Sequence, residues 1–348
     1  MESLFSFINR PLGIILRYIA GLVGGNFAAS VLIFTLLINL ALIPLTVKSQ
    51  KSSVQQLRIK PKLDDIKKRY ADDKQRQNEE MQKLYQEEKV SMSGGCLPMI
   101  LRLVLMMSIY WLILSPLTYM TGVDSSRVKN VSTVISQGME ELKKEDLEKY
   151  NLYSKELDLD AKSARSNELS VVRIIRNEKI DIHDILSEKE YEKIKEDLEY
   201  IKKKDKEVGI DYTLFSDKLD LTQKPHFSMD IFNAWKPIWL IPIGAFLAQM
   251  LTSLLSMYQQ KKQNPDAPSM AGMMLTMPLF SLFIGFTLPG GVGFYWICSS
   301  LVGGIVQFVM QGFYGPQKLL AAERSKELKE RAIIEIKQKT NADKKVEE

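Results

Sequence analysis

Five apolar runs limit what this chain can fold into: Phe27 to Val47, Cys96 to Met120, Pro237 to Met257, Met270 to Pro289 and Val292 to Phe313. An α-helix needs about 20 apolar residues to cross a hydrocarbon core of about 30 Å. In lipid every backbone N–H and C=O must be satisfied within the segment, so each run reads as a helix. The expectation is an all-α integral membrane protein with five spans. Whole-chain composition hides this, because 45% apolar residues sit beside 26% charged ones. The charge lies between the runs.

Lysine and arginine in short flanking loops set orientation. Lys48 to Met92 holds 12 of them against 8 acids, and Tyr314 to Glu348 holds 9 against 7. Both stretches are expected in the cytoplasm. Thr121 to Trp235 carries 20 basic and 25 acidic residues and fits the other side. With an odd number of spans, the N-terminus lies outside and the C-terminus inside.

Residues 1–26 interleave Arg10 and Arg17 with Leu, Ile and Phe. They read as an amphipathic helix in the outer interface that starts at Pro11. A cleaved signal peptide is the rival, although no basic region precedes the apolar stretch and no A-x-A site follows it. The first span, 27–47, leads into a charged hairpin, 48–94. Lys62 to Tyr70 carries Leu63, Ile66 and Tyr70 on one face, ADDKQ turns the chain, and Arg76 to Lys89 returns with Met81, Leu84 and Tyr85. The second span covers 95–120. The segment 121–235 reads as a mainly helical extracytoplasmic domain, with Glu and Lys pairs at i,i+4 in EKEYEKIKEDLEYIKK, followed by the extended GIDYTLFSDKLDLTQKP. AWKPIW is expected to anchor the outer interface before the third span, 236–258. A polar loop, 259–269, joins the fourth span, 270–289. LPGG is so short that the fifth span, 292–313, must run antiparallel beside the fourth. The basic tail 314–348 has a helical charge pattern suited to water, anionic lipid or ribosomal RNA.

Arg102 is the costly residue. A guanidinium at membrane depth costs roughly 2.5–3.5 kcal/mol on insertion scales, so it should face a polar or hydrated space. At a helix rise of about 1.5 Å per residue, Asn39, Arg102, Gln249 and Gln307 lie ~12, ~10, ~14 and ~9 Å from the inner ends of their spans. Thr276 falls at the same level, with Ser300 further out. Polar side chains from several helices in one layer suggest a hydrophilic groove that opens to the cytoplasm. Snorkelling of Arg102 to the headgroups, and amides acting as interhelical glue, remain open alternatives.

The stretch QKSSVQQLRIKPKLDDIKKRYADDKQRQNEEMQKLYQEEKVSMSGGCLPMI and the block MMLTMPLFSLFIGFTLPGGVGFYW resemble, in order and spacing, the cytoplasmic hairpin, second span and paired last spans of the YidC family of membrane protein insertases. The match is to the five-span, Gram-positive-like type, over residues 27–120 and roughly 230–315. Family members usually carry an arginine where this chain has Asn39, and a glutamine where it has Arg102. The hairpin exit reads Val90-Ser91-Met92 where an Asn-Pro pair is common. The family's groove arginine therefore does not carry over to position 39.

The resemblance implies an insertase that moves hydrophobic segments and short polar flanks of nascent proteins into the bilayer without ATP. It further implies nascent membrane proteins as substrates, and the Sec translocon, the ribosome and the signal recognition machinery as candidate partners in the bacterial plasma membrane. No DNA is expected to bind. The residues read as no enzyme, with no nucleophile and base pair, no P-loop and no metal cluster. Cys96 and Cys298 fall in opposite leaflets and imply no disulfide, and no cofactor is expected. A small secondary transporter or anion channel using Arg102 is the alternative. Taken together, the departures and depths suggest that the groove charge has moved from the first helix to the second. Combining Asn39→Arg with Arg102→Gln should then restore insertion lost in Arg102→Gln alone, as measured by the membrane integration of a small client protein. Full activity in both Arg102→Gln and Arg102→Ala would sink the idea.

Overall fold

A computed structural model describes residues 2–88, 90, 97–156, 168–177, 180–215, 219–227, 235–263 and 271–347. Fourteen α-helices carry nearly all the regular structure among these residues, with one two-stranded antiparallel hairpin, β1 (Thr213–Leu214) and β2 (Leu219–Asp220). The chain divides into two units. One comprises Met1–Ile38, Val104–Tyr258 and Ala267–Gly303, and the other Asn39–Leu103, Gln259–Asp266 and Gly304–Glu348.

In the first unit, α1 (Glu2–Leu22) buries Leu12, Leu16, Ile19 and Ala20 and exposes Phe7, Ile14, Tyr18 and Leu22. Both faces are apolar, with Arg10 and Arg17 exposed on one flank of the outward face. Pro11 lies inside this helix and not at its start. Gly13 passes the backbone of α6 (Pro116–Tyr119), where a Cβ would sit 2.4 Å from the Tyr119 carbonyl oxygen.

The apolar runs form α2 (Phe27–Ala41), α5 (Leu97–Leu114), α11 (Leu240–Gln263), α12 (Ala271–Gly285) and α13 (Gly290–Tyr314). By length and composition, two stretches of the described residues can cross a membrane, Pro237–Gln259 and the one that begins at Gly290. A third is added if the pair Phe27–Ala41 and Ile43–Gln50, bent by 45°, counts as one span. The second and fourth runs give shorter helices, α5 with 18 residues and α12 with 15. Two features fall short of the five regular spans expected. The first run breaks at Leu42, where Pro44 opens α3 (Ile43–Arg69) and removes a backbone donor. The second run ends at Ser115, and Leu117 and Met120 are buried in protein. Small residues let helices approach within the first unit. A Cβ on Gly293 would lie 2.6 Å from the Ile241 side chain, and one on Gly285 2.9 Å from Pro242.

The segment between the second and third apolar runs, within the first unit, is mainly helical among the described residues. It contains α7 (Ser125–Glu145), α8 (Leu147–Glu156), α9 (Leu169–Arg176) and α10 (Glu188–Val208). Asp124 caps α7 through the Ser126 N–H, and Ser187 and Glu190 form a capping box on α10. Val128, Val131, Ile135, Met139 and Leu142 on α7 meet Ile194, Leu198 and Ile201 on α10 in one core. Gly138 is required here, because a Cβ would stand 2.3 Å from the Ile185 carbonyl oxygen. Tyr153 donates to Asp184 at 2.6 Å, and Lys149 pairs with the same carboxylate at 2.6 Å. Lys149 and Tyr153 hold the Asp184 carboxyl below its ordinary range, while desolvation and Asp184 push the Tyr153 hydroxyl up to about 12.

In the second unit, α3 runs unbroken from Ile43 to Arg69, so the first hairpin helix starts well before the expected Lys62. The turn falls at residues 70–73, as ADDKQ indicates, and α4 (Lys74–Glu87) returns with Leu84 buried. Lys62 pairs with Glu88 across the hairpin. The tail forms α14 (Pro316–Glu347), which packs on α3.

Arg176 and Asp205 hold the last turns of α9 and α10 together through two 2.6 Å bonds, and Arg176 also donates to the Ile210 carbonyl at 2.6 Å. Asp205→Ala should cost about 2–4 kcal/mol. That is less than breaking a fully buried pair, because the guanidinium is partly exposed. Lys204→Ala, which removes only an exposed pair with Glu207, should leave the unfolding midpoint essentially unchanged. Urea unfolding of the full chain in detergent, followed by tryptophan fluorescence, checks both.

Candidate membrane groove

A groove for polar groups in lipid needs side chains whose hydrogen bonds are not all consumed within their own helix. Asn39 lies in α2, three residues before the Leu42 break, and is half-buried. Arg102 lies in α5, but its side chain is outside the described residues. Gln307 lies in α13 and is exposed. These three belong to the second unit. The other three belong to the first unit: Gln249 half-buried on α11, Thr276 exposed on α12 and Ser300 half-buried on α13. The candidate set is thus split three and three between the units.

Other polar groups in the apolar helices were not singled out from sequence. Ser30, Thr35, Ser108 and Ser281 are all buried. Thr35 donates to the Val31 carbonyl at 2.7 Å and Ser281 to the Pro278 carbonyl at 2.8 Å. Back-bonding of this kind lets a small hydroxyl sit in an apolar run. Thr252 does the same on α11, to the Ala248 and Gln249 carbonyls at 3.1 and 3.0 Å. The signal in sequence was a lone Ser or Thr among leucines, which says nothing about which way it points.

Outward faces of the same helices are apolar. Leu247, Leu251, Leu254 and Leu255 are exposed on α11, Phe280 and Phe283 on α12, and Ile305, Phe308 and Phe313 on α13. Phe283 and Phe313 are 74% and 75% exposed, a degree of exposure that large apolar residues tolerate on a surface facing lipid.

The expected aromatic anchor divides in two. Trp235 is exposed, but Trp239 is 3% exposed and donates its indole N–H to the Pro225 carbonyl at 2.6 Å. It packs edge-on against Phe286 and Trp235 and stacks with Phe227. The indole N–H needs an acceptor when buried, and the returning chain of the inserted domain supplies it.

The model of the family described as 60Kd inner membrane protein matches residues 18–157 and 210–317. Among similar proteins, one called membrane protein insertase YidC in Haemophilus influenzae (strain PittEE) is 41% identical over 106 residues, 30% of this chain and 19% of that protein. The protein of the same name in Haemophilus ducreyi is 39% identical over 119 residues, 34% of this chain and 21% of its own. In Pseudomonas aeruginosa (strain LESB58) the figures are 36% over 108 residues, 31% and 18%. The matched part thus spans about a fifth of the length of these relatives.

Proposed function

Because this chain belongs to the 60Kd inner membrane protein family, we propose that it is a membrane protein insertase. It moves hydrophobic segments and short polar flanks of nascent proteins from the cytoplasm into the bilayer. The observation that carries the reading is the family match on both sides of residues 158–209, together with 36–41% identity to proteins called insertases. The exposed apolar faces of α11 and α13 support it, since a segment leaving for lipid needs a greasy surface to slide along.

In this mechanism the basic hairpin of α3 and α4 receives the nascent segment. Five spans surround a hydrated groove open to the cytoplasm, with Arg102, Asn39, Gln249, Gln307, Thr276 and Ser300 along its wall. Arg102 supplies the charge that other family members place on the first span. Water and one positive charge at this depth lower the desolvation cost of a polar flank and attract its acidic residues. No ATP is used; hydrophobic partitioning and the membrane potential, worth about 2.3 kcal/mol per charge per 100 mV, drive transfer. The N-terminus and inserted domain lie outside and the C-terminus in the cytoplasm of a bacterial cell. The outward face of α1 rests in the outer interface, with Arg10 and Arg17 at headgroup level.

A photo-crosslinking residue at Leu103, Gln249 or Gln307 should capture ribosome-stalled nascent chains that expose an apolar segment, and should lose them when that segment is made polar. Arg102→Glu should lower integration of clients with acidic flanks by about tenfold, close to 1.4 kcal/mol, and affect neutral flanks less. If no position captures nascent chains in native membranes, the protein is not an insertase.

A further inference from the structure

The first N–H groups of an α-helix have no partner within the helix, and in this protein two helix starts are completed by the same returning chain. The Phe27 N–H, at the start of α2, donates to the Asp211 carbonyl at 2.9 Å, and the Asp211 N–H donates to the Gly25 carbonyl at 2.8 Å. At the start of α13, the Gly290 and Gly291 N–H groups donate to the Gln223 and Leu221 carbonyls at 2.8 and 2.7 Å. Trp239, just before α11, donates to Pro225. Residues 209–214 and 219–225 therefore touch the starts of three apolar helices.

Glycine makes the approach possible. Gly25 has φ +84°, and a Cβ there would stand 2.1 Å from the Gly209 carbonyl oxygen. A Cβ on Gly291 would meet the side chains of Ile113 and Phe27 at 3.1 and 3.2 Å. The two stretches are also buttressed from behind. Arg173, buried in α9, donates to the Thr222 carbonyl at 2.5 Å, and Arg176 stacks over the Tyr212 ring, which packs on Phe27 with centroids 4.9 Å apart. Ile210, Tyr212, Leu219, Leu221 and Thr222 are all 5% exposed or less.

We infer that these stretches are a permanent clamp. They hold the starts of α2 and α13 and the entry to α11 as one cooperative unit, which stays shut while a substrate is handled. A lid that opened would strand the helix-start donors and expose the apolar side chains beneath. The last part of the inference, closure during handling, rests on the insertase reading.

Hydrogen exchange by mass spectrometry on the full chain in lipid nanodiscs decides the matter. In the protein alone, amides of Phe27, Asp211, Gly290 and Gly291 should exchange about a thousandfold more slowly than in an unstructured peptide. Tyr212→Ala should speed all four by a similar factor, about tenfold or more, although Gly290 and Gly291 are remote in sequence. If that variant does not accumulate, Trp239→Phe, which removes the indole donor and part of the buried ring, should show the same coupling more weakly. A ribosome-stalled nascent chain should leave the four rates unchanged. The clamp is overturned if wild-type amides exchange rapidly, if acceleration stays within residues 209–225, or if an engaged chain speeds the exchange. Should the protein hold no nascent chain, the insertase reading falls, and the nanodisc rates alone decide for or against the clamp.

Discussion

Unpaired backbone donors at helix starts are tolerable in water and costly near lipid, and this molecule satisfies them with carbonyl oxygens from its own inserted domain. The Phe27, Gly290 and Gly291 amides all end on residues 211–223. The rest of the first unit follows from that requirement. The returning chain must come within van der Waals contact of helix ends, so glycines stand at 25, 290 and 291. It must also be held in place, which α9 and α10 do through Arg173, Arg176 and Asp205.

Much of the architecture could be read from the residues because the forces behind it are local. Apolar runs, an ADDKQ turn and i,i+4 charge pairs each specify an element within a few residues. The hairpin turn at 70–73 and the helical insert followed that logic. Where tertiary contacts decide, the residues were ambiguous. Leu117 and Met120 read as the end of a span because they are apolar, yet they pack into protein beyond the Ser115 break. Trp239 read as an interfacial anchor because tryptophan favours that zone. It is instead buried, since Pro225 offers an acceptor that the sequence pairs with nothing. Pro11 read as a helix start, but one missing donor is tolerated within α1.

The candidate groove rests on the cost and depth of its residues, which the sequence gives, and on their direction, which it does not. A single arginine in an apolar run is a candidate functional position because of its cost, and helix rise gives its depth. Depth does not give direction around the helix axis, which apolar neighbours on every side leave unspecified. The short hydroxyls show the same limit. Thr35 and Ser281 vanish into the helix by bonding carbonyls three or four residues back, whereas Thr276 and Gln307 are exposed. Hydropathy treats the two cases alike, although only the second kind leaves polar atoms at a surface.

The inserted domain is best understood by where the family match stops. Residues 158–209 lie outside it, and matching resumes at Ile210. Helices α9 and α10 fall wholly in the unmatched stretch, yet their polar groups reach the matched side of the junction. Arg173 reaches Thr222, and Arg176 reaches Ile210 and Tyr212. Glu168 accepts the Thr118 N–H at 2.9 Å, and its own N–H donates to Leu114 at the end of α5. An insertion that merely decorated a loop would need none of these bonds, since its termini could be joined by solvated chain at little cost. Bonds of this kind, made at both ends of the insertion, tie it to the helix ends, so its added mass acts as a brace on the part of the molecule shared with the family.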